Sequence, residues 1–484
     1  MMIKIKLNDM TFRYDVFQMF SIFYKSENIK FVEAAEEPTS SNFDESFIVF
    51  IDDKGIQIID AGYKSYFEFD NNFVKKENVK REIFKFLSNK TRKEMPWGIL
   101  IGIRPSKIAL SLLNEGKSDE EIIHIYSKRY FAREDKARLC IDVAKLEEGI
   151  VNKDKNTVSI YIGMPFCPTR CIYCSFASNP ISSCSKLVEP YLSALTKEIA
   201  TMGNYIREKE LKIQCIYFGG GTPTSVDNLQ FENIMKEIHN NLCSINEVEE
   251  FTVECGRPDS ITYEKLLTMK KFGVHRISIN PQTMNDDTLK RIGRNHSSND
   301  VIDKFNLARS CGFDNINMDL IVGLQGEGLE QVLNTCDKIY KLNPESITVH
   351  GMSIKRSSRL HENIVNKIKL EEKSQNELNS MYEATVNLAE RLHMSPYYMY
   401  RQKNMVGNME NVGYTKQHKE SIYNIQMMEE KQTIIALGAD AVSKVVFLDE
   451  NRIERFGNTK DVREYISRID EMIHNKIKLL DTLY

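Results

Sequence analysis

Cys167, Cys171 and Cys174 stand within eight residues of one another in GMPFCPTRCIYCSF, residues 163–176. Thiols at this spacing suit a metal centre. A disulfide framework pairs its cysteines, and a structural zinc site closes with four ligands. Thiolates also hold iron–sulfur clusters, and a four-iron cubane with three protein ligands leaves one iron free for an exogenous group. The alternative is zinc, with Cys184, Cys215 or a histidine as the fourth ligand. Two further stretches carry chemistry. FGGGTPT, residues 218–224, lets a backbone approach a ligand closely because glycine has no Cβ. Glu254, in TVECG, ends an apolar run, and an ionised carboxylate is a pure hydrogen-bond acceptor.

Short β-rich runs position these residues. VSIYIGMPF, IQCIYFGGG, EEFTVECG, HRISINPQ, NINMDLIVGL and ESITVHGMSI alternate with amphipathic segments such as EPYLSALTKEIATMGNYIREKE and LEQVLNTCDKIYKLN. Six such units predict an α/β fold with parallel strands and right-handed crossovers, either a partial (β/α)6 TIM-like barrel or an open doubly wound sheet. Either architecture puts its reactive residues at the C-terminal ends of the strands. The thiols follow the first run, the glycines the second, and Glu254 the third. Gln282 follows the fourth run, and Asp319 lies in the fifth.

At 484 residues the chain calls for two or three domains. Residues 1–155 read as an N-terminal α+β unit. It holds a hairpin about the DDKG turn of FIVFIDDKGIQIIDAG, several helices, and Trp97 as a buried anchor. Residues 156–355 are the barrel, and residues 356–484 read as a mainly helical C-terminal extension that caps a substrate. A net charge of −3 argues against nucleic acid as a partner. No apolar run approaches a membrane span. The first residues, MMIKIKLNDM, read as a strand and not as a secretion signal. The ten cysteines, mostly single, are then reduced thiols of a cytoplasmic protein.

The thiol spacing after the first strand of a parallel βα series resembles the radical S-adenosylmethionine superfamily. The ordered set YIGMPFCPTRCIYCSF, IYFGGGTPT, GVHRISINPQTMNDDTLKRIGRNH and NINMDLIVGLQGE is similar to the oxygen-independent coproporphyrinogen III oxidases. The front unit and the YRQKN to GNMENVGY tail resemble their long-extension branch, the coproporphyrinogen dehydrogenases. The resemblance implies a 4Fe–4S cluster on Cys167, Cys171 and Cys174, and S-adenosylmethionine on its open iron. Tyr161, Gly220, Gly221, Thr222 and Glu254 would contact that molecule. Tyr173, Gln282, Arg294 and Asp319 would contact a second S-adenosylmethionine. Cleavage to a 5′-deoxyadenosyl radical would then drive oxidative decarboxylation of two propionates of coproporphyrinogen III to the vinyl groups of protoporphyrinogen IX. Arg401, Gln402, Lys403 and Asn404 offer donors for the propionates of the tetrapyrrole. The electron would come from a donor such as flavodoxin or ferredoxin.

One position departs from this pattern. The oxidases carry a further cysteine two residues after the third ligand, where this chain has Phe176. Phenylalanine there is shared with haem chaperone relatives and with radical enzymes that modify haem. Haem transfer or haem modification on the same barrel is therefore the alternative reading, with His350, Cys255 or His296 as possible haem ligands.

Overall fold

The structure is a computed structural model that describes residues 2–32, 44–102, 104–176, 178–353, 358, 360, 362, 373–402 and 405–484. The chain divides into two compact units. One comprises residues 1–141 with 374–376 and 407–409, and the other holds the remainder.

The first unit is built on strands β1 (Ile3–Leu7), β2 (Ile29–Val32), β3 (Glu45–Ile51), β4 (Gly55–Asp60) and β5 (Tyr63–Glu68), in the order β2-β1-β3-β4-β5. Strand β3 alternates strictly: Phe47, Val49 and Ile51 are buried, while Ser46, Ile48 and Phe50 are exposed. The buried face packs with helices Arg13–Phe23 and Lys75–Thr91 into one core that includes Ile3, Phe20 and Ile83. The expected hairpin is β3–β4, and Asp52 Oδ1 closes its turn by accepting from the amides of Lys54 (2.7 Å) and Gly55 (2.8 Å). Trp97 is fully buried.

The second unit is organised by an eleven-stranded mixed sheet. Its centre is the predicted parallel series: β6 (Thr157–Met164), β9 (Lys212–Gly220), β10 (Glu250–Gly256), β11 (Arg276–Ile279), β12 (Ile316–Val322) and β13 (Ser346–Gly351). A two-stranded pair, β7 (Phe166–Cys167) with β8 (Asn179–Pro180), interrupts the first crossover. The crossovers include helices Ile181–Glu208, Asn228–Ile238, Tyr263–Lys271, Ser298–Ser310 and Leu329–Leu342. Nearly every residue of the central strands is buried, as a parallel sheet covered on both faces requires. Local sequence starts the crossover helices. Asp227 and Gln230 form a capping box at Asn228–Ile238, and Ser297 and Asp300 form another at Ser298–Ser310.

The C-terminal region, expected to be mainly helical, adds strands to the sheet as well as helices. Among the described residues it contributes β14 (Ser395–Tyr400), β15 (Asn411–Thr415), β16 (Thr433–Leu437), β17 (Val442–Phe447) and β18 (Arg452–Gly457), as well as four helices. These strands extend both edges of the sheet. β15 pairs antiparallel with β13 and β14 with β15, while β16 runs parallel to β6 and leads to β17 and β18. Among the described residues, the hydrogen-bonded order runs from β14 to β18.

A buried polar knot fixes the β16 edge. Glu198 accepts hydrogen bonds from the Gly438 amide (2.7 Å), the Tyr465 hydroxyl (2.6 Å), Asn458 Nδ2 (2.9 Å) and Lys476 Nζ (2.5 Å). Among the described residues, no helix is long and apolar enough to cross a membrane.

Candidate active site

The cysteine loop hangs from the end of β6. Pairing of Cys167 with Pro180 in β7–β8, together with the Asn179 amide bound to the Pro165 carbonyl at 2.8 Å, closes its base. Its far side is pinned to the 292–294 turn. The Ile172 amide donates to the Ile292 carbonyl (3.1 Å), and Thr169 Oγ1 donates to the Gly293 carbonyl (2.8 Å). Cys167 and Cys171 are buried and Cys174 is half-buried. Burial pushes the Cys167 thiol up to about 12, against the lowering effect of Thr222, and burial also raises Cys174. Such sulfurs ionise when a bound cation offsets the desolvation.

The glycine turn lies directly on this loop. The Gly221 amide donates to the Met164 carbonyl (2.6 Å) and the Thr222 amide to the Phe166 carbonyl (2.8 Å), while the Thr222 hydroxyl reaches Cys167 Sγ at 3.4 Å. A Cβ on Gly221 would fall 2.6 Å from the Phe166 carbonyl and 3.0 Å from Cys167 Sγ, so only glycine leaves that space open. Among the described residues, no three His, Cys, Asp or Glu side chains converge as they would around a single ion. A cubane takes each thiolate on a different iron, and three thiols spread along one loop and faced by an open glycine backbone fit that group.

Tyr161, Gly220 and Glu254 line the same strand ends. Gly220 has φ +102°, and a Cβ there would stand 3.3 Å from the Tyr161 hydroxyl. One on Gly219 would stand 2.7 Å from Glu254 Oε2. Burial, reinforced by the charge of Asp319, raises the Glu254 carboxyl to about 7. This carboxylate therefore takes up or releases a proton near neutrality.

The second set of expected residues is joined through Asn280. Arg294 is buried, not the surface arginine its charged neighbours suggest, and its Nη1 donates to the Asn280 carbonyl at 2.5 Å. Burial works against its charge, but Tyr173 and Cys171 beside it hold the proton on. Asn280 Oδ1 also accepts from the Asp319 amide (3.3 Å). Burial opposes ionisation of Asp319. The His350 ring, whose Nε2 lies 3.7 Å away, and Asn317 Nδ2, which donates at 2.7 Å, nevertheless keep its carboxyl below the ordinary range. Gln282 adopts φ +67°, a conformation uncommon for any residue but glycine. Its backbone is held there by two bonds of 2.9 Å, amide to the Asp319 carbonyl and carbonyl from the Ile321 amide.

The model of the radical SAM superfamily matches residues 161–339, the segment that carries all of these groups except His350. The oxygen-independent coproporphyrinogen-III oxidase-like protein HemZ of Bacillus subtilis is 41% identical over 391 residues, which are 80% of this chain and 77% of that protein. The chain belongs to the radical SAM superfamily, among its oxygen-independent coproporphyrinogen-III oxidase-like proteins. The heme chaperone HemW of Bacillus subtilis is 35% identical over 232 residues, 48% of this chain and 60% of that relative. The solved coproporphyrinogen III oxidase HemN of Escherichia coli shares the fold, with TM-score 0.52 at 20% identity, covering 68% of this chain and 72% of that one.

Radical SAM proteins use a 4Fe–4S cluster and S-adenosylmethionine, and the donor set described above fits both groups. The remaining expectations divide. Arg401 is buried, so it is not part of a solvated loop, and the Gln402 amide faces Met405 Sδ at 3.2 Å. Lys403 and Asn404 lie outside the described residues. Cys255 is a core thiol, pushed up to about 12 by burial. His296 is buried with neither ring nitrogen hydrogen-bonded, and burial beside Arg294 and Arg257 lowers it to about 4. His350 is more open, and its Nδ1 lies 3.4 Å from the Tyr400 hydroxyl. Phe176 is 63% exposed beside the third ligand. Sequence reasoning passed over Arg257 and Asp259, whose only signal was their place in GRPDS, just beyond Glu254 and Cys255.

Proposed function

We propose that this radical SAM protein is an enzyme of anaerobic porphyrin biosynthesis that oxidatively decarboxylates coproporphyrinogen III propionates to the vinyl groups of protoporphyrinogen IX. The observation that carries this reading is the apposition of the cysteine loop, the Gly220–Gly221–Thr222 turn and Glu254 at the C-terminal ends of β6, β9 and β10. The name of the HemZ relative supports the substrate class.

When bound, the cluster and S-adenosylmethionine supply a 5′-deoxyadenosyl radical that can take a propionate β-hydrogen. The chain holds and orients. Cys167, Cys171 and Cys174 are the iron ligands, and Gly220 and Gly221 leave room for the ligand backbone. Glu254 accepts from ribose hydroxyls when ionised. Arg294 is suited to grip a carboxylate of a second S-adenosylmethionine with parallel hydrogen bonds, with Tyr173, Gln282 and Asp319 around it. Arg401, Gln402, Lys403 and Asn404 are assigned to the tetrapyrrole propionates. A one-electron donor such as flavodoxin or ferredoxin would reduce the cluster.

A second reading, haem transfer or haem modification, is favoured by Phe176 and by the similarity to HemW. His350 is the residue that reading would use, since its ring is steadied by Tyr400 and Asp319. The deciding experiment is anaerobic reconstitution with iron and sulfide, followed by dithionite, S-adenosylmethionine and coproporphyrinogen III, with haem in parallel. 5′-Deoxyadenosine formed in step with a vinyl-bearing product supports the decarboxylase. Cleavage uncoupled from product, with tight haem binding, replaces it with the second reading.

A further inference from the structure

Arg257 follows β10 by one residue and is buried. Its guanidinium is divided between two tasks. Nε and Nη2 donate to the two carboxylate oxygens of Asp259 at 3.0 and 2.8 Å, a two-pronged grip. Nη1 is turned toward the cysteine loop, 3.0 Å from Thr169 Oγ1, 3.4 Å from the Thr169 carbonyl and 3.8 Å from Cys171 Sγ. The carboxylate thus fixes one edge of the fork, and the other edge presents donors to the loop and to one sulfur. Lysine, with a single compact ammonium on a flexible stem, could not serve these partners in one plane. Among the described residues, the charged or titratable groups around this contact include Arg294 and Tyr173, which also border Cys171, the Cys167 thiol, and His296, whose Nδ1 lies 3.8 Å from Asp259 Oδ1.

We propose that Arg257 is a positioning residue for the iron–sulfur centre: its Nη1 anchors the loop through Thr169 and, by hydrogen-bonding the Cys171 sulfur, favours the reduced cluster. The chemistry follows from charge. Reduction adds one negative charge to the cluster and its thiolates, and a cation or donor at a ligand sulfur stabilises that state more than the oxidised one. Asp259 orients the guanidinium and also opposes its field. Removing each partner should therefore shift the reduction equilibrium in opposite directions, a pattern that simple loosening of the loop would not produce.

The test uses the full chain, reconstituted anaerobically and titrated potentiometrically with the reduced cluster followed by electron paramagnetic resonance. S-adenosylmethionine and tetrapyrrole are left out, so the result is independent of the substrate assignment. Arg257→Gln is expected to lower the reduced-to-oxidised ratio at a fixed potential about tenfold, ~59 mV for one electron. Asp259→Asn is expected to raise it. Arg257→Lys keeps the charge and loses the fork, so its ratio should stay within about threefold of the parent, while iron is lost to a chelator several-fold faster. An unchanged potential in Arg257→Gln, or a shift of the same sign in Arg257→Gln and Asp259→Asn, overturns the proposal. If Arg257→Gln takes up no cluster, Asp259→Asn decides alone, and an unshifted or lowered potential there overturns it.

Discussion

The Thr222 hydroxyl lies 3.4 Å from Cys167 Sγ, which joins the turn after β9 to the loop after β6. The first thiol is thus held by a neighbouring strand end as well as by its own loop. The cysteine loop and the glycine turn form one site, and a disturbance of either is felt at the other.

Gly221→Ala should prevent cluster assembly. Its Cβ would meet two backbone carbonyls, of Phe166 at 2.6 Å and Met164 at 2.8 Å, and backbone yields less readily than a flexible side chain. Iron and sulfide content after anaerobic reconstitution should fall well below the parent, with secondary structure by circular dichroism unchanged.

Cys171→Ala removes one of the three proposed iron ligands from a loop already closed by β7–β8 and pinned to Gly293. The visible and paramagnetic signatures of a 4Fe–4S cluster should be lost while the thermal transition stays close to the parent's. A variant that kept the full cluster spectrum would contradict the assignment of Cys171 as a ligand.

Glu254, raised to about 7, gives a pH signature. In its proposed role the ionised form accepts from ribose hydroxyls, so S-adenosylmethionine affinity should rise between pH 6 and pH 8. In Glu254→Gln it should be weaker by about ten- to a hundredfold, from loss of about 1.5–3 kcal/mol of charge-assisted bonding, and nearly independent of pH. Stability carries the opposite sign. A carboxyl whose folded value exceeds its unfolded one stabilises the fold at low pH and loses that contribution as pH rises through about 7. Glu254→Gln should therefore raise the melting temperature more at pH 8 than at pH 5.5, as calorimetry can check.

Lys476→Ala leaves Glu198 buried without its cation. Breaking a fully buried pair by removing one partner costs about 3–5 kcal/mol, measurable by denaturant titration. Lys476→Met with Glu198→Gln should recover part of that loss.

The sequence by itself determined the spacing of the three thiols and the parallel core. Cysteines at 167, 171 and 174 share one short loop wherever the rest of the chain goes, and six β-rich runs separated by amphipathic segments have few ways to pair. Residues whose role depends on a distant partner were not legible. The resemblance alone puts Arg294 at a ligand, and its burial against Asn280 and Tyr173 comes only with the fold. Nothing in the spacing around Arg257 marks it, and only the fold brings it to Thr169 and Cys171 across the strand ends. The C-terminal strands were obscured for the same reason. A short apolar run such as Thr433–Leu437 has no period that separates strand from helix, and only pairing with Val158–Ile162 makes it β16. Local spacing fixes what a few neighbouring side chains can bind. Burial and long-range pairing decide which charges face them, because both depend on chain closure that no short window of sequence contains.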